Sequence, residues 1–121
     1  MAAVLHFKQL RCWQKAFELN KLLFLTTKEM RIFSLKDQFE KASLSIMNNI
    51  AEGFGRRFFE KEFIRFLDIS QGSSCEVRSM TYVLEDMEYL TLDQITPIRI
   101  KSEQVGLKVL ALINHLRSRK R

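Results

Sequence analysis

Ser43-Leu-Ser-Ile-Met-Asn-Asn-Ile-Ala-Glu-Gly-Phe-Gly-Arg-Arg57 is the stretch whose reading decides the fold. Leading into it and through it, Leu35, Phe39, Ala42, Ile46 and Ile50 recur every three or four residues, the spacing of one buried helical stripe. Beyond it, Phe59, Phe63, Phe66, Ser70, Ser73, Val77, Met80, Leu84 and Met87 repeat that spacing, so a long helix is expected from near Phe59 to about Leu90. Between the stripes lies Gly53-Phe54-Gly55, where glycine admits the positive φ angles that a Cβ resists. The expectation is two helices joined by a tight corner that carries Arg56 and Arg57.

Working outward, a first helix from about Leu10 to Lys28 carries Trp13, Ala16, Phe17, Asn20, Leu23, Phe24 and Thr27 on one face, widened by Leu19 and Leu22. Residues 1 to 9 read as a lead-in in which Leu5 and Phe7 dock on the bundle. Ser34 stands three residues ahead of Asp37, close to a capping box, and is expected to start the second helix, which runs to about Glu52. Its Asn48 and Asn49 need amide partners if buried, and the Gly53 corner is the expected place to find them. In the third helix, Gly72-Ser73-Ser74 offers a small-residue surface for close helix crossing. Thr91 and Thr96-Pro97 both signal a helix start, and a short turn over Leu92 to Ile95 followed by a helix from Pro97 to about Leu116 reconciles them. Val105, Val109, Leu112, Ile113 and Leu116 give this last stripe, with Leu107 and Leu110 apolar beyond it. Four helices with short connections read as an all-α antiparallel four-helix bundle.

Composition supports one domain over residues 1 to 121. Four glycines and one proline leave few breaks in the 121 residues, and that length buries a core without metal or disulfide staples. Cys12 and Cys75 have no CxxC or Cys/His spacing, so reduced core thiols are expected. Glu85, Asp86 and Glu88 lack a histidine at ligand spacing, so neither a metal nor a cofactor is expected. No apolar run approaches the ~20 residues that span a bilayer, and with no leader-like opening a cytoplasmic protein without membrane contact is expected. Twenty Lys and Arg against fourteen Asp and Glu give a net charge of +6, which favours acidic partners such as nucleic acid and also serves solubility.

Ser45-Ile46, Asn49-Ile-Ala-Glu-Gly53, Gly55-Arg56, Glu62-Phe63, Arg65-Phe66-Leu67 and Gly72-Ser73, with Trp13-Gln14-Lys15-Ala16 near the start, resemble the bacterial four-helix-bundle family of proteins encoded in intervening sequences of large-subunit ribosomal RNA genes. The resemblance spans roughly residues 5 to 116. It departs at Met47, where the family usually has proline, at Phe58, where a small capping residue is common, and in lacking the Phe-Pro that often follows the first helix. A related group, the accessory proteins of diversity-generating retroelements, assembles as pentamers and binds nucleic acid beside a reverse transcriptase. The resemblance therefore implies a homo-oligomer, with a pentamer foremost, nucleic acid as ligand, and a reverse transcriptase as a further partner.

The residues themselves supply no nucleophile, base and oxyanion set, so no enzyme is expected. Gly53-Phe-Gly-Arg-Arg imitates the opening of a dinucleotide fingerprint, but it lacks the third glycine and follows a helix where that fingerprint follows a strand. The corner offers charge instead. Arg57, Lys61 and Arg65 are spaced by four, so on a helix they would line one stripe opposite the phenylalanines, with Arg56 at one end and Arg117, Arg119, Lys120 and Arg121 extending it from the C-terminal tail. Phe54 and Phe58 are candidate stacking platforms for unpaired bases, and of the adjacent Phe58 and Phe59 at least one is expected at an interface. Asn49, Glu52, Gly53 and Gly55 are expected to build the corner. Asp68, Glu60 and Glu62 flank the bases, and a solvated, salt-bridged face is the competing reading. Two functions follow, a nucleic-acid-binding module or an oligomeric adaptor that docks a protein on exposed phenylalanines.

Overall fold

A computed structural model describes residues 3–119 as a 3₁₀ turn, Phe7–Gln9, followed by α1 (Arg11–Thr27), α2 (Phe33–Gly55), α3 (Glu60–Asp86) and α4 (Leu92–Ser118). Each helix packs on its neighbours in the chain and α1 closes on α4, with no diagonal contacts between α1 and α3 or between α2 and α4. The result is an antiparallel four-helix bundle with one central core. None of the described helices is long and apolar enough to cross a membrane.

The stripes enter the core with small rotations. Phe39, Ile46, Ile50, Leu67, Val77, Leu84, Ile95, Ile98, Val105 and Ile113 are fully enclosed. In α1 the buried line runs through Cys12, Ala16, Leu19, Leu23 and Thr27, which turns Phe17 and Phe24 out to the flank. Phe59 and Met87 leave the expected stripe because they lie just beyond the two ends of α3, and both are exposed.

Helix boundaries differ from expectation: α2 runs on to Gly55, past Glu52, α3 stops at Asp86, short of Leu90, and the start of α2 and both ends of α4 also shift. Ser34 does not cap α2; the helix begins one residue earlier at Phe33, with Ile32 at the cap position and no side-chain cap bond. Met30 is buried and Ile32 packs against the core. Burying Met30 contributes about 1.5–3 kcal/mol and half-buried Ile32 adds part of that, together more than the roughly 1 kcal/mol of a capping bond. α4 is a single helix through Pro97. Thr91 caps it reciprocally with Gln94, and buried Ile95 and Ile98 hold the first turns against the core. The hydrogen bond that Pro97 omits would have ended on the carbonyl of Asp93, an exposed residue that water reaches. At the far end α4 continues through Arg117 and Ser118, so the basic tail is helical up to that point.

Small polar residues set how closely the helices approach. Ser70 Oγ donates to the Ile46 carbonyl at 2.9 Å, and Ser45 and Ser73 hydroxyls meet at 2.7 Å between α2 and α3. Ser74 Oγ donates to the Ser102 carbonyl at 3.0 Å between α3 and α4, and Arg78 Nη1 donates to Ser74 Oγ at 2.9 Å and Ser102 Oγ at 3.1 Å. The crossing expected at Gly72-Ser73-Ser74 is therefore made by the serines, since nothing lies within 4 Å of a Cβ built on Gly72. Buried Asn20 accepts from Ser43 Oγ and donates to Met47 Sδ at 3.4 Å, joining α1 to α2. Of the two thiols only Cys12 is a core residue; Cys75 is exposed on α3 beside Arg78, whose Nη2 lies 3.2 Å from its sulfur.

In the lead-in, Phe7 packs against the core and its ring lies 5.3 Å from Trp13, whereas Leu5 stays exposed and does not dock as expected. His6 caps the 3₁₀ turn, its Nδ1 accepting from the Lys8 amide at 3.2 Å.

Candidate nucleic-acid interface at the α2–α3 corner

α2 ends without a left-handed residue. Neither Gly53 nor Gly55 takes a positive φ, and both stay helical. The chain turns instead over Arg56 to Phe58, with Arg56 N–H on the Gly53 carbonyl at 3.0 Å, Arg57 N–H on the Phe54 carbonyl at 3.1 Å and Phe59 N–H on the Arg56 carbonyl at 2.9 Å. Gly53 serves packing. A Cβ there would stand 3.0 Å from Phe66 Cβ, 3.1 Å from Phe63 Cδ1 and 3.2 Å from the Phe63 carbonyl. The glycine thus lets α3 return directly against the end of α2.

This geometry breaks the expected basic stripe. α3 begins at Glu60, so Arg57 lies in the turn, and only Lys61 and Arg65 are one helical turn apart on a common helix. Arg57 folds back over the corner: its Nη1 donates to the Phe54 carbonyl at 3.1 Å, and its guanidinium lies 4.1 Å from the Phe54 ring centroid and 4.8 Å from that of Phe58. Neither Arg57 nor Lys61 has a carboxylate within ion-pair distance among the described residues.

Arg56 and Arg65 are paired. Arg65 donates from Nε and Nη2 to the two Glu62 carboxylate oxygens at 3.2 and 3.0 Å, a two-pronged bond. Arg56 lies 3.4 Å from Glu52 and 3.9 Å from Glu62. The Arg65 hydrogen bond, with the Arg65 and Arg56 charges beside it, holds the Glu62 carboxyl below the usual carboxylate range. Both guanidinium groups also lie over the Phe66 ring, at 5.0 and 4.5 Å from its centroid. Spacing alone places Glu62 beside the bases; it does not reveal that Glu62 clamps two of them.

The aromatics divide. Phe54, expected as a partner-facing platform, is buried and meets Phe63 edge-on at 6.3 Å, because α2 continues far enough to turn residue 54 into the core. Phe58 and Phe59 are 84% and 73% exposed, so both are outside the protomer's core. Asn49 donates one turn back to the Ser45 carbonyl at 2.8 Å and Ser45 Oγ at 3.0 Å, supporting the α2–α3 seam and not the corner itself. Glu52 is a surface residue on Arg56. Arg119, just past α4, reaches Glu60 at 3.4 Å and so joins the corner, while Arg117 is exposed on the last turn of α4. Lys120 and Arg121 lie outside the described residues.

An all-α four-helix bundle with a basic, aromatic-flanked corner is the class of protein these observations define. The chain matches the 23S rRNA-intervening sequence protein family over residues 8–111, and it belongs to that family. It is similar in structure to a protein of unknown function from the S23 ribosomal protein family of Bacteroides thetaiotaomicron, with a TM-score of 0.76 at 22% identity over 85% of this chain and 95% of that one. That likeness is one of fold. No curated protein matches the chain.

Proposed function

We propose that the protein is a non-enzymatic, cytoplasmic, homo-oligomeric module that binds nucleic acid, RNA foremost, at the α2–α3 corner. The observation that carries the reading is the juxtaposition of Arg57 and Lys61, cations without carboxylate partners among the described residues, with the exposed rings of Phe58 and Phe59. A cation for phosphate beside an aromatic face for an unpaired base is the minimum recipe for single-strand binding. The family's link to an intervening sequence of 23S rRNA favours RNA as the acid. Association with a reverse transcriptase, drawn from the resemblance, belongs to this reading as a partner that would present the RNA.

The corner has no base-reading constellation, so binding favours single-strandedness over sequence. Oligomerisation would repeat the corner around the assembly and raise avidity for a long strand. Exposed apolar residues on two adjoining helices, Phe17 and Leu25 on α1 and Ile100, Leu107 and Leu110 on α4, support a subunit interface, for which the resemblance suggests a pentamer.

Binding of single-stranded RNA and DNA, measured across a salt series with the parent and with Arg57→Gln/Lys61→Gln/Arg65→Gln, tests the reading. The expected result is uniform weakening in the variant, with helicity and oligomeric state kept. The same exposure of Phe58 and Phe59 favours the second reading, a protein adaptor. Parent protein that binds neither acid at low salt would exclude the first reading in favour of the second.

A further inference from the structure

At one end of the bundle, the turn after α2, the lead-in and the last turns of α4 line a half-open cavity of about 410 Å³. Its walls are mainly apolar, with Phe54, Phe58 and Leu112 prominent, and its polar groups are the guanidinium groups of Arg57 and Arg119 and the imidazole of His115. Among the described residues, no Asp, Glu, Asn, Gln, Ser or Thr lines it. We infer that this cavity is a binding site for a small amphipathic organic anion, a carboxylate with an apolar alkyl body.

Three features carry the assignment. The volume lies within the range of about 300–1,000 Å³ typical of small-molecule sites, and such sites combine apolar walls with a few placed polar groups. Arg57 is half-buried and held between two rings and a backbone carbonyl, without a carboxylate within ion-pair distance among the described residues, so its charge is oriented but not neutralised. A planar fork already fixed in this way loses little freedom on taking a carboxylate. Arg119, by contrast, already shares its charge with Glu60, which makes Arg57 the principal anchor. An apolar chain buries no donor or acceptor against these walls.

The pocket shares Arg57 and Phe58 with the proposed nucleic-acid interface, and the test does not use nucleic acid. Calorimetric titration of the full chain with octanoate is expected to show saturable binding with one site per protomer. Octanol, which lacks the charge, and inorganic phosphate, which lacks the body, should each bind at least about tenfold more weakly. Arg57→Gln should weaken octanoate by about ten- to a hundredfold. Leu112→Trp, which fills the cavity, should abolish binding. Lys41→Gln, a change on the exposed Asp37–Lys41 pair of α2 outside the cavity, should leave it unchanged. Circular dichroism checks that each variant is folded. Where Leu112→Trp fails to fold, Arg57→Gln decides. The inference is overturned if octanol matches octanoate, if Arg57→Gln binds like the parent, if Lys41→Gln weakens binding as much as Arg57→Gln does, or if no saturable site appears.

Discussion

Residues of the same type play opposite parts according to what stands beside them. Gly53 and Gly72 are both helical, yet a Cβ on Gly53 would press on Phe66 and Phe63 at 3.0–3.2 Å, whereas one on Gly72 meets nothing within 4 Å. Gly53→Ala should therefore destabilise by about 1–3 kcal/mol through overpacking, and Gly72→Ala should stabilise by about 1 kcal/mol through helix propensity. Urea midpoints of the two variants that moved in the same direction would refute this account of the corner. The thiols divide in the same way. Burial pushes the Cys12 thiol up to about 11 from the ordinary value of 9.0. Between those values the unfolded chain releases a proton that the folded chain keeps, so the stabilising contribution is intact below pH 9 and is lost as pH rises toward 11, by at most about 2–3 kcal/mol. The stability difference between the parent and Cys12→Ala should shrink across that window, and a difference that stays constant with pH would contradict it. Sequence spacing could place both cysteines on helices. It could not show that Cys75 faces water, because that depends on how far α3 is rotated against its neighbours.

Among the elements, helix existence was legible and helix ends were not. The stripe of Phe39, Ala42, Ile46 and Ile50 is a long-range average that survives local exceptions, and all four residues are buried as that spacing requires. Ends depend on single contacts. The Ser34 capping signal loses to the docking of Met30 and Ile32, and the Pro97 break loses to the Thr91–Gln94 cap together with buried Ile95 and Ile98. The candidate site suffers most from this, since a start of α3 at Glu60 removes Arg57 from the row formed with Lys61 and Arg65. The end of α3 shows a further signal that spacing could not supply. Glu88 has a φ of 59°, Tyr89 N–H reaches the Leu84 carbonyl at 2.9 Å and Glu88 N–H the Glu85 carbonyl at 3.0 Å, the paired bonds of a Schellman stop with glutamate where glycine is favoured. The left-handed backbone costs a side-chain-bearing residue about 1–2 kcal/mol. Glu88→Gly should relieve part of this and raise stability by about 0.5–1 kcal/mol, read as a melting temperature several degrees higher. A melting temperature at or below the parent's would mean that the glutamate side chain contributes more than its backbone strain costs.

For the molecule as a whole, net charge is a poor guide to how many cations are free to meet a phosphate. The +6 of the chain is spread over the surface, and at the corner Glu62 binds Arg65 in two-pronged fashion while Glu52 and Glu62 flank Arg56. If each occupied arginine must leave a carboxylate before it can take a phosphate, a protomer offers Arg57 and Lys61 at once and the other two only after exchange. Each phosphate neutralised contributes about 0.7 to the log–log salt slope for single strands, so the parent protomer should show a slope nearer ~1.5 than the ~3 that four free cations would give. Glu62→Gln removes the carboxylate that holds Arg65, while Arg56 keeps its pairing with Glu52 at 3.4 Å. It should strengthen RNA binding, steepen the slope toward ~2 as Arg65 joins Arg57 and Lys61, and leave the fold intact, since the pair lies on the surface, where such ion pairs contribute little to stability. Lowering the pH through the depressed Glu62 pKa should move the parent in the same direction, because protonation releases Arg65 as the substitution does. The measurement is a salt series on an oligonucleotide short enough to engage one corner, so that avidity across an oligomer does not enter. A Glu62→Gln variant whose affinity and slope match the parent's would show that Arg65 takes no part in binding, and would remove it from an interface that rests on Arg57, Lys61 and the two exposed rings.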